Sequence, residues 1–340
     1  MAAIPSTMRA LQLHAYDAKA SSIRVAQVPV PTPGRGEVLV RIAASPVNPS
    51  DLMFVAGMYG FKKPVPAIPG FEGSGNVVKA GPGAMPRFLL GKRVACAAAD
   101  ARIAGGTWAE YLVTSAQFCI PLRKNIDIEQ AATMLVNPMT AWALVEEARR
   151  GGHRAAVQTA AASALGQMVV RLGRRFSLPI INIVRRPEQV ELLRTIGAEH
   201  IVNSSEFGYE NSLKLLCQDL GATIGFDAVA GETSAIVLRA QPNGARLLVY
   251  GGLSLAACQA DPTSLIFEGK RLEGFWLSGW LRNKNLLSQL RVARQVQALL
   301  STDLKTEIRA RVPLEQTAAA LSEYAQHMTG GKVLIVPQQS

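Results

Sequence analysis

Along the first third of the chain, apolar and polar residues alternate in short runs. Glu37-Val38-Leu39-Val40-Arg41-Ile42 and Gly75-Asn76-Val77-Val78 show the period-two pattern of half-buried strands. Between such runs the chain is broken by Pro29, Pro31, Pro33, Gly34, Gly36, Pro46, Pro49, Pro64, Pro66, Pro69, Gly70, Gly81, Pro82 and Gly83, which leave little room for long helices. Residues 8–122 therefore read as a small barrel or sandwich-like β domain.

The texture changes near Asn125. Residues 126–150 are helix-rich, and Ala155-Ala156-Val157-Gln158-Thr159 reads as a strand that runs through a small-residue turn into a helix over about 166–176. The same unit then repeats. Strands are predicted at 180–184, which is apolar, and at 200–203, 224–229 and 246–250, with helices at 187–196, 209–220 and 232–240, two of them closed by Gly197 and Gly221. Strands alternating with helices of this length imply a parallel sheet covered on both faces, the doubly wound Rossmann architecture that binds dinucleotides. After about Phe267 the pattern is irregular, and the chain ends in the apolar strand 331–336. The expected α/β organisation is a discontinuous first domain, 1–124 with 268–340, around an inserted nucleotide domain, 125–267.

Composition alters this picture only locally. The 340 residues include 49% hydrophobic and 18% charged types, which excludes a disordered or collagen-like chain. A net charge of +11 raises the question of a polyanionic partner. However, Lys62-Lys63, Arg149-Arg150, Arg174-Arg175 and Arg185-Arg186 are scattered along the chain rather than gathered in one stripe, so nucleic acid is not the expected partner. Cys96, Cys119, Cys217 and Cys258 have neither metal-knuckle nor disulfide-scaffold spacing. With no signal-like start and no long apolar run, a reducing cytoplasmic location without a membrane span is expected.

Candidate chemistry begins at the first turn of the Rossmann segment. The fingerprint glycines of a pyrophosphate turn let backbone N–H groups approach a phosphate at a helix N-terminus. Here Ala161 and Ser163 stand at the first two positions, and only Gly166 is kept. The next strand ends in Arg185-Arg186, at the distance where the adenosine ribose is read. An acid there would accept from a ribose 2′-OH, whereas guanidinium forks pair with a 2′-phosphate, so NADPH is expected over NADH.

The ordered markers Gly36-Glu37-Val38-Leu39-Val40, Asn48-Pro49-Ser50-Asp51, Pro69-Gly70-Phe71-Glu72-Gly73, Gly106-Thr107-Trp108-Ala109-Glu110-Tyr111, Asn137-Pro138-Met139-Thr140-Ala141, Gly197-Ala198-Glu199-His200 and Gly331-Lys332-Val333-Leu334 resemble the medium-chain dehydrogenase/reductases. Within that superfamily the chain is similar to the zinc-independent quinone oxidoreductase and 2-enoyl thioester reductase branch. Zinc-dependent members carry Cys where this chain has Asn48 and His where it has Phe71, and neither residue here is a normal zinc ligand. His14, His153, His200 and His327 lack ligand-like spacing and read as structural or surface residues.

Gly57-Met58-Tyr59-Gly60-Phe61, Ser163-Ala164-Leu165-Gly166-Gln167, Ile181-Asn182-Ile183-Val184-Arg185, Pro262-Thr263-Ser264-Leu265-Ile266-Phe267 and Gly274-Phe275-Trp276-Leu277-Ser278 look most like mitochondrial-type trans-2-enoyl thioester reductases. The resemblance implies a GroES-like, mainly β catalytic domain beside the Rossmann domain, and a homodimer joined edge to edge near 274–281. It implies Tyr59 as the catalytic acid. It implies cofactor contacts at Asn137, Thr140, Ala162, Ser163, Ala164, Leu165, Arg185, Arg186, Tyr250, Gly251, Gly252, Leu253, Phe275, Trp276, Leu277, Ser278 and Lys332. Ala164 departs from the Gly usual in the family's phosphate turn.

Hydride delivery from NADPH to the β carbon of an unsaturated carbonyl leaves charge on the enolate oxygen and a basic α carbon, which a Tyr hydroxyl can stabilise and protonate. Tyr59 lies in a Gly-flanked loop where an aromatic ring has no obvious core to fill, although a half-buried packing role is the plain alternative. Phe275 and Trp276 by composition are equally core aromatics of a strand, and Lys332 equally caps a surface strand. Two other functions compete. A quinone reductase would use the same NADPH site without needing Tyr59, and a nucleotide-dependent regulator or nucleic-acid binder would use the charge of +11.

Overall fold

The computed structural model describes residues 3–18, 20–98, 101, 105–326 and 328–337. The chain divides into two compact units, Met1–Val136 with Ala293–Ser340 and Asn137–Val292.

In the first unit, β1 (Thr7–Leu13) and β2 (Ile23–Pro29) pair antiparallel as a separate two-stranded ribbon. The unit continues with β3 (Glu37–Pro46), α1 (Pro49–Val55), β4 (Glu72–Ala80), α2 (Ala84–Leu89), β5 (Arg93–Ala97), β6 (Tyr111–Ser115), β7 (Cys119–Pro121) and α3 (Ile128–Ala132). The alternation read from 37–42 becomes β3, which lies between β4 and β6 with antiparallel register on both sides. Val38, Val40 and Ile42 point into one buried cluster with Val77, Val94 and Leu112, because successive side chains of a strand take opposite faces. Burial of such aliphatic side chains, each contributing about 1.5–3 kcal/mol, is what closes the sheet.

The second unit opens with α4 (Asn137–Arg150). It proceeds through β8 (Ala156–Gln158), α5 (Ala164–Arg175), β9 (Ile180–Val184), α6 (Pro187–Thr195), β10 (His200–Asn203), α7 (Tyr209–Leu220), β11 (Ile224–Asp227), α8 (Glu232–Ala240) and β12 (Arg246–Val249). It ends with α9 (Pro262–Ile266), β13 (Arg271–Gly274), α10 (Leu277–Arg282) and the start of α11 (Leu286–Leu299). All six strands are parallel in the order β10-β9-β8-β11-β12-β13, the doubly wound arrangement.

The chain then returns to the first unit with β14 (Ile308–Val312), α12 (Thr317–Gln326) and β15 (Lys332–Ile335). β15 pairs antiparallel with β3, so the first sheet runs β14-β15-β3-β4-β5-β7. The C-terminal strand thus lies in the β-rich unit, and the units divide at 136/137 and 292/293 where 124/125 and 267/268 were expected. Residues 125–136 belong with the β-rich unit, and residues 268–292 with the nucleotide unit. The second shift has a physical reason. β13 is only Arg-Leu-Glu-Gly, and it sits on the sheet edge with both end residues exposed, so it lacks the apolar run that marks the buried strands.

Candidate active site and cofactor site

In the nucleotide unit, β8 ends at the turn that leads into α5. Ser163 caps that helix, its Oγ accepting from the Gly166 N–H at 3.1 Å, and the other first-turn N–H groups have no partner within the helix. Gly166 is obligatory here, since a Cβ would lie 2.4 Å from the Ala161 carbonyl oxygen. Gly166→Ala is therefore expected to lower Tm by an amount equivalent to about 1–3 kcal/mol, the usual result of overpacking, which differential scanning calorimetry would measure. Ala161 and Ala162 are buried, and Gln167 Nε2 donates to the Ala162 carbonyl at 3.0 Å. Ala164 simply continues the helix as its first residue.

The rim next to this turn is held by one buried carboxylate. Asp227, at the end of β11, accepts from Thr159 Oγ1 at 2.8 Å, Ser234 Oγ at 2.6 Å and the Val229 N–H at 2.8 Å. These bonds tie the ends of β8 and β11 together, the side of a doubly wound sheet where ligands bind. Tyr250 follows β12. Its hydroxyl is buried without a hydrogen-bond partner among the described residues, and burial, reinforced by Asp227, pushes it above the ordinary tyrosine range. A buried hydroxyl left unbonded is poised for a ligand acceptor or donor. Gly251 passes against the Ala228 backbone, Gly252 faces open space, and Leu253 is exposed with its N–H on the Ala228 carbonyl.

Arg185 and Arg186, the two arginines expected to read the ribose, are exposed at the end of β9. The Arg185 N–H donates to Gln189 Oε1 at 3.0 Å, and Ser205 Oγ donates to the Arg185 carbonyl, so the backbone is fixed while the guanidinium projects from it. Arg186 precedes α6 and pairs with Glu188 at 3.0 Å. Asn137 and Thr140 occupy the first turn of α4, both buried. Trp276 is 51% exposed and carries the Arg282 guanidinium 4.7 Å from its ring centroid, so it is no core aromatic. Phe275, Leu277 and Ser278 are half-buried beside it. Every cofactor candidate except Lys332 thus lies in the nucleotide unit, including the 275–278 segment that the sequence assigned to the other domain.

In the first unit, Tyr59 follows α1 and does have a core to fill, contrary to the expectation from its flanking glycines. Its ring lies 4.6 Å from Phe71 and 5.1 Å from Phe61, on a cluster that includes Phe54 and Trp108. Such aromatic pairs contribute about 0.5–1.5 kcal/mol beyond area burial, so the ring is held by packing whatever its hydroxyl does.

The same unit holds a buried ionic network of which only Lys332 was an expected site residue. Lys332 does not cap a surface strand and is not displayed as a phosphate donor. It is 1% exposed, and its ammonium donates to the carbonyl of Val47, to Asn48 Oδ1 and to the Tyr324 hydroxyl, which uses all three of its protons. Asn48 Nδ2 donates to Glu72 Oε1 at 2.9 Å, and Asp51 accepts from the N–H groups of Asn48 at 2.8 Å and Phe71 at 3.0 Å. Burial raises both carboxyls, Asp51 and Glu72 each to about 7, against the lowering effect of Lys332 and these hydrogen bonds. The folded state thus holds those protons more tightly than the unfolded chain. The stability they contribute is complete below the ordinary carboxylate range and is lost as pH rises through about 7. Glu72, Asp51 and Asn48 were legible only as parts of motifs, since nothing in their spacing shows that a lysine some 280 residues later closes the network.

Asn48 and Phe71 are engaged in hydrogen bonding and ring packing respectively, and among the described residues no group of three or more His, Cys, Asp or Glu is placed to hold a metal. His153 Nδ1 lies 2.7 Å from Thr223 Oγ1, a structural role, and His327 lies outside the described residues. Among the described residues no helix is long and apolar enough to cross a membrane.

Comparison with known proteins places these features in context. Residues 34–124 match the alcohol dehydrogenase GroES-like domain family, and residues 164–291 match the zinc-binding dehydrogenase family. The mitochondrial enoyl-[acyl-carrier-protein] reductase of Arabidopsis thaliana is 32% identical over 266 residues, covering 77% of this chain and 70% of that protein. Its counterpart in Mus musculus is 31% identical over 287 residues, covering 82% and 75%. A solved structure from Mesorhizobium loti, described provisionally as an NADPH:quinone reductase, superposes with a TM-score of 0.91 at 34% identity over 98% of this chain and all of that one.

Proposed function

This chain belongs to the medium-chain dehydrogenase/reductases, in the quinone and enoyl reductase branch, and is an oxidoreductase; from that premise we propose that it reduces α,β-unsaturated thioesters with NADPH. The observation that carries this reading is Tyr59, a hydroxyl-bearing ring locked on the Phe61–Phe71 platform of the β-rich unit. The residues of the nucleotide unit fit a dinucleotide. The Ser163-capped end of α5 would take the pyrophosphate, Arg185 and Arg186 the 2′-phosphate, and the orphaned Tyr250 hydroxyl a polar atom of the same ligand. Asn137, Thr140, Ala162 to Leu165, Gly251 to Leu253 and Phe275 to Ser278 complete the proposed lining.

Bound NADPH would supply a hydride to the substrate's β carbon. The electron pair then moves to the carbonyl oxygen, and Tyr59 stabilises that charge and delivers a proton to the α carbon, water restoring the tyrosine proton. The net change is one hydride and one proton added across C=C. Lys332 acts from within the protein, holding Val47 and Asn48 at the base of α1, from which the Tyr59 loop extends.

A quinone substrate is the second reading, favoured by the Mesorhizobium loti structure. NADPH oxidation measured with crotonyl-coenzyme A and with benzoquinone separates them. A kcat/KM for the thioester at least about tenfold higher is expected, equivalent to one hydrogen bond realised in the transition state; the reverse ratio assigns a quinone reductase. The proposed reading includes a homodimer formed across the free edge of β13, next to the exposed Ile266 and Phe267, and a reducing compartment in which Cys96, Cys119 and Cys217 stay buried thiols. Sedimentation is expected to give twice the 36.3 kDa chain mass.

A further inference from the structure

The buried network has one outlet, and it leads to the place where the chain leaves the β-rich unit. Glu72 Oε2 accepts from two consecutive backbone N–H groups, Leu135 at 2.7 Å and Val136 at 2.9 Å. Val136 is the last residue of that unit, and Asn137 begins both α4 and the nucleotide unit. These two amides stand just before a helix start, where N–H groups have no partner within the helix.

We propose that Glu72 is a positioning residue that anchors this crossing segment and thereby fixes Asn137 for cofactor binding, with Asn48 and Lys332 holding Glu72 in its acceptor-only form. The cofactor part of the proposal rests on the NADPH reading above; the anchoring part does not.

The polarity of the chain of bonds makes the assignment specific. The Lys332 ammonium has only donors, so it compels Asn48 to present Oδ1 to it and Nδ2 to Glu72. Glu72 therefore meets donors on both oxygens, Asn48 on one and the Leu135–Val136 pair on the other. Only a carboxylate satisfies both sides. A glutamine in its place has one oxygen and one NH2 group, so it must set donor against donor on one side. Asn48 cannot flip to relieve the clash, because its NH2 would then face the ammonium. Removing the ammonium lifts that constraint: Asn48 can turn, offer Oδ1 to the glutamine NH2, and place its own NH2 against the Val47 carbonyl that Lys332 had used.

The charged and titratable groups facing Glu72 are Asp51 on α1, Lys332 on β15 and the Cys96 thiol on β5, the last kept neutral by burial. The crossing segment offers only backbone donors. Protonation of Glu72 imposes the same conflict as the glutamine, so the anchor is complete above about pH 7 and weakens below it.

The test compares the wild-type chain, E72Q and the double variant E72Q/K332M by hydrogen exchange at the Leu135 and Val136 amides and by NADPH titration. In E72Q those two amides are expected to exchange at least about tenfold faster, as for a buried hydrogen bond left unmade, with NADPH affinity falling in parallel. The double variant is expected to restore their protection toward the wild-type level, which a merely destabilised fold would not do. The NADPH dissociation constant of the wild type is expected to rise as pH falls below about 7, and that of E72Q to stay flat. Unchanged exchange at both amides in E72Q, or no recovery in the double variant, overturns the anchor. Faster exchange with unaltered NADPH affinity overturns the positioning of Asn137. A wild-type chain that binds no NADPH defeats the proposed function and leaves the exchange result to judge the anchor on its own.

Discussion

Tyr59→Phe is expected to lower turnover on an enoyl thioester by about a hundredfold while leaving NADPH affinity unchanged. The magnitude follows from the loss of one oriented donor to a developing oxyanion, about 3 kcal/mol where such donors have been removed from other enzymes. Phenylalanine keeps the 4.6 Å contact with Phe71 and the 5.1 Å contact with Phe61, so the ring packing is preserved. Tyr59→Ala differs, since it removes the ring too and should destabilise the aromatic cluster by about 3–5 kcal/mol. Single-turnover NADPH oxidation on crotonyl-coenzyme A, with Tm measured in parallel, reads both effects. Unaltered turnover in Tyr59→Phe would make the tyrosine a packing residue and nothing more.

The second large effect concerns cofactor choice. Replacing Arg185 and Arg186 together by Ala is expected to raise the KM for NADPH by about a hundredfold and to leave the KM for NADH unaltered. Hydrogen bonds to charged groups contribute about 1.5–3 kcal/mol each, and solvent at this exposed site reduces that share. The two residues should not contribute equally. Arg186 is already paired with Glu188 at 3.0 Å, so part of its attraction for a phosphate is offset, whereas Arg185 has no acidic partner among the described residues. Arg185→Ala alone should therefore account for most of the loss. Steady-state kinetics with both nucleotides at low ionic strength decides it, and equal effects on NADPH and NADH would remove the 2′-phosphate assignment.

The nucleotide unit was the most legible part of the chain. Its strands at 180–184 and 246–249 are mostly apolar runs, interrupted by Asn182 and opened by Arg246, and they alternate with helices that glycines such as Gly221 close. β13 escaped notice because an edge strand needs no such run. Gly166 answers a close approach of 2.4 Å, but that glycine alone does not mark a phosphate turn; the reading drew on Arg185-Arg186 at the end of the next strand. Tyr59 was singled out because its Gly-flanked loop suggested no core for the ring, whereas the ring packs on Phe61 and Phe71. Phe54, Phe61 and Phe71 come from a helix and two loop segments, and no local pattern shows that they converge on one ring.

By itself, then, the sequence made legible most elements of the nucleotide unit with their parallel class, the β-rich character of the first unit, and a C-terminal strand able to rejoin it. The elements depend on periodicity, capping and turn residues within short stretches of chain. Only the tertiary structure decided where one unit ends and the other begins, that Trp276 stands exposed, and that Lys332 is a buried ion. The reason is the same in each case. Burial and charge pairing are properties of neighbours in space, and the neighbours of Lys332, namely Val47, Asn48 and Tyr324, are brought to it by strand pairing between β3 and β15 rather than by any pattern along the chain.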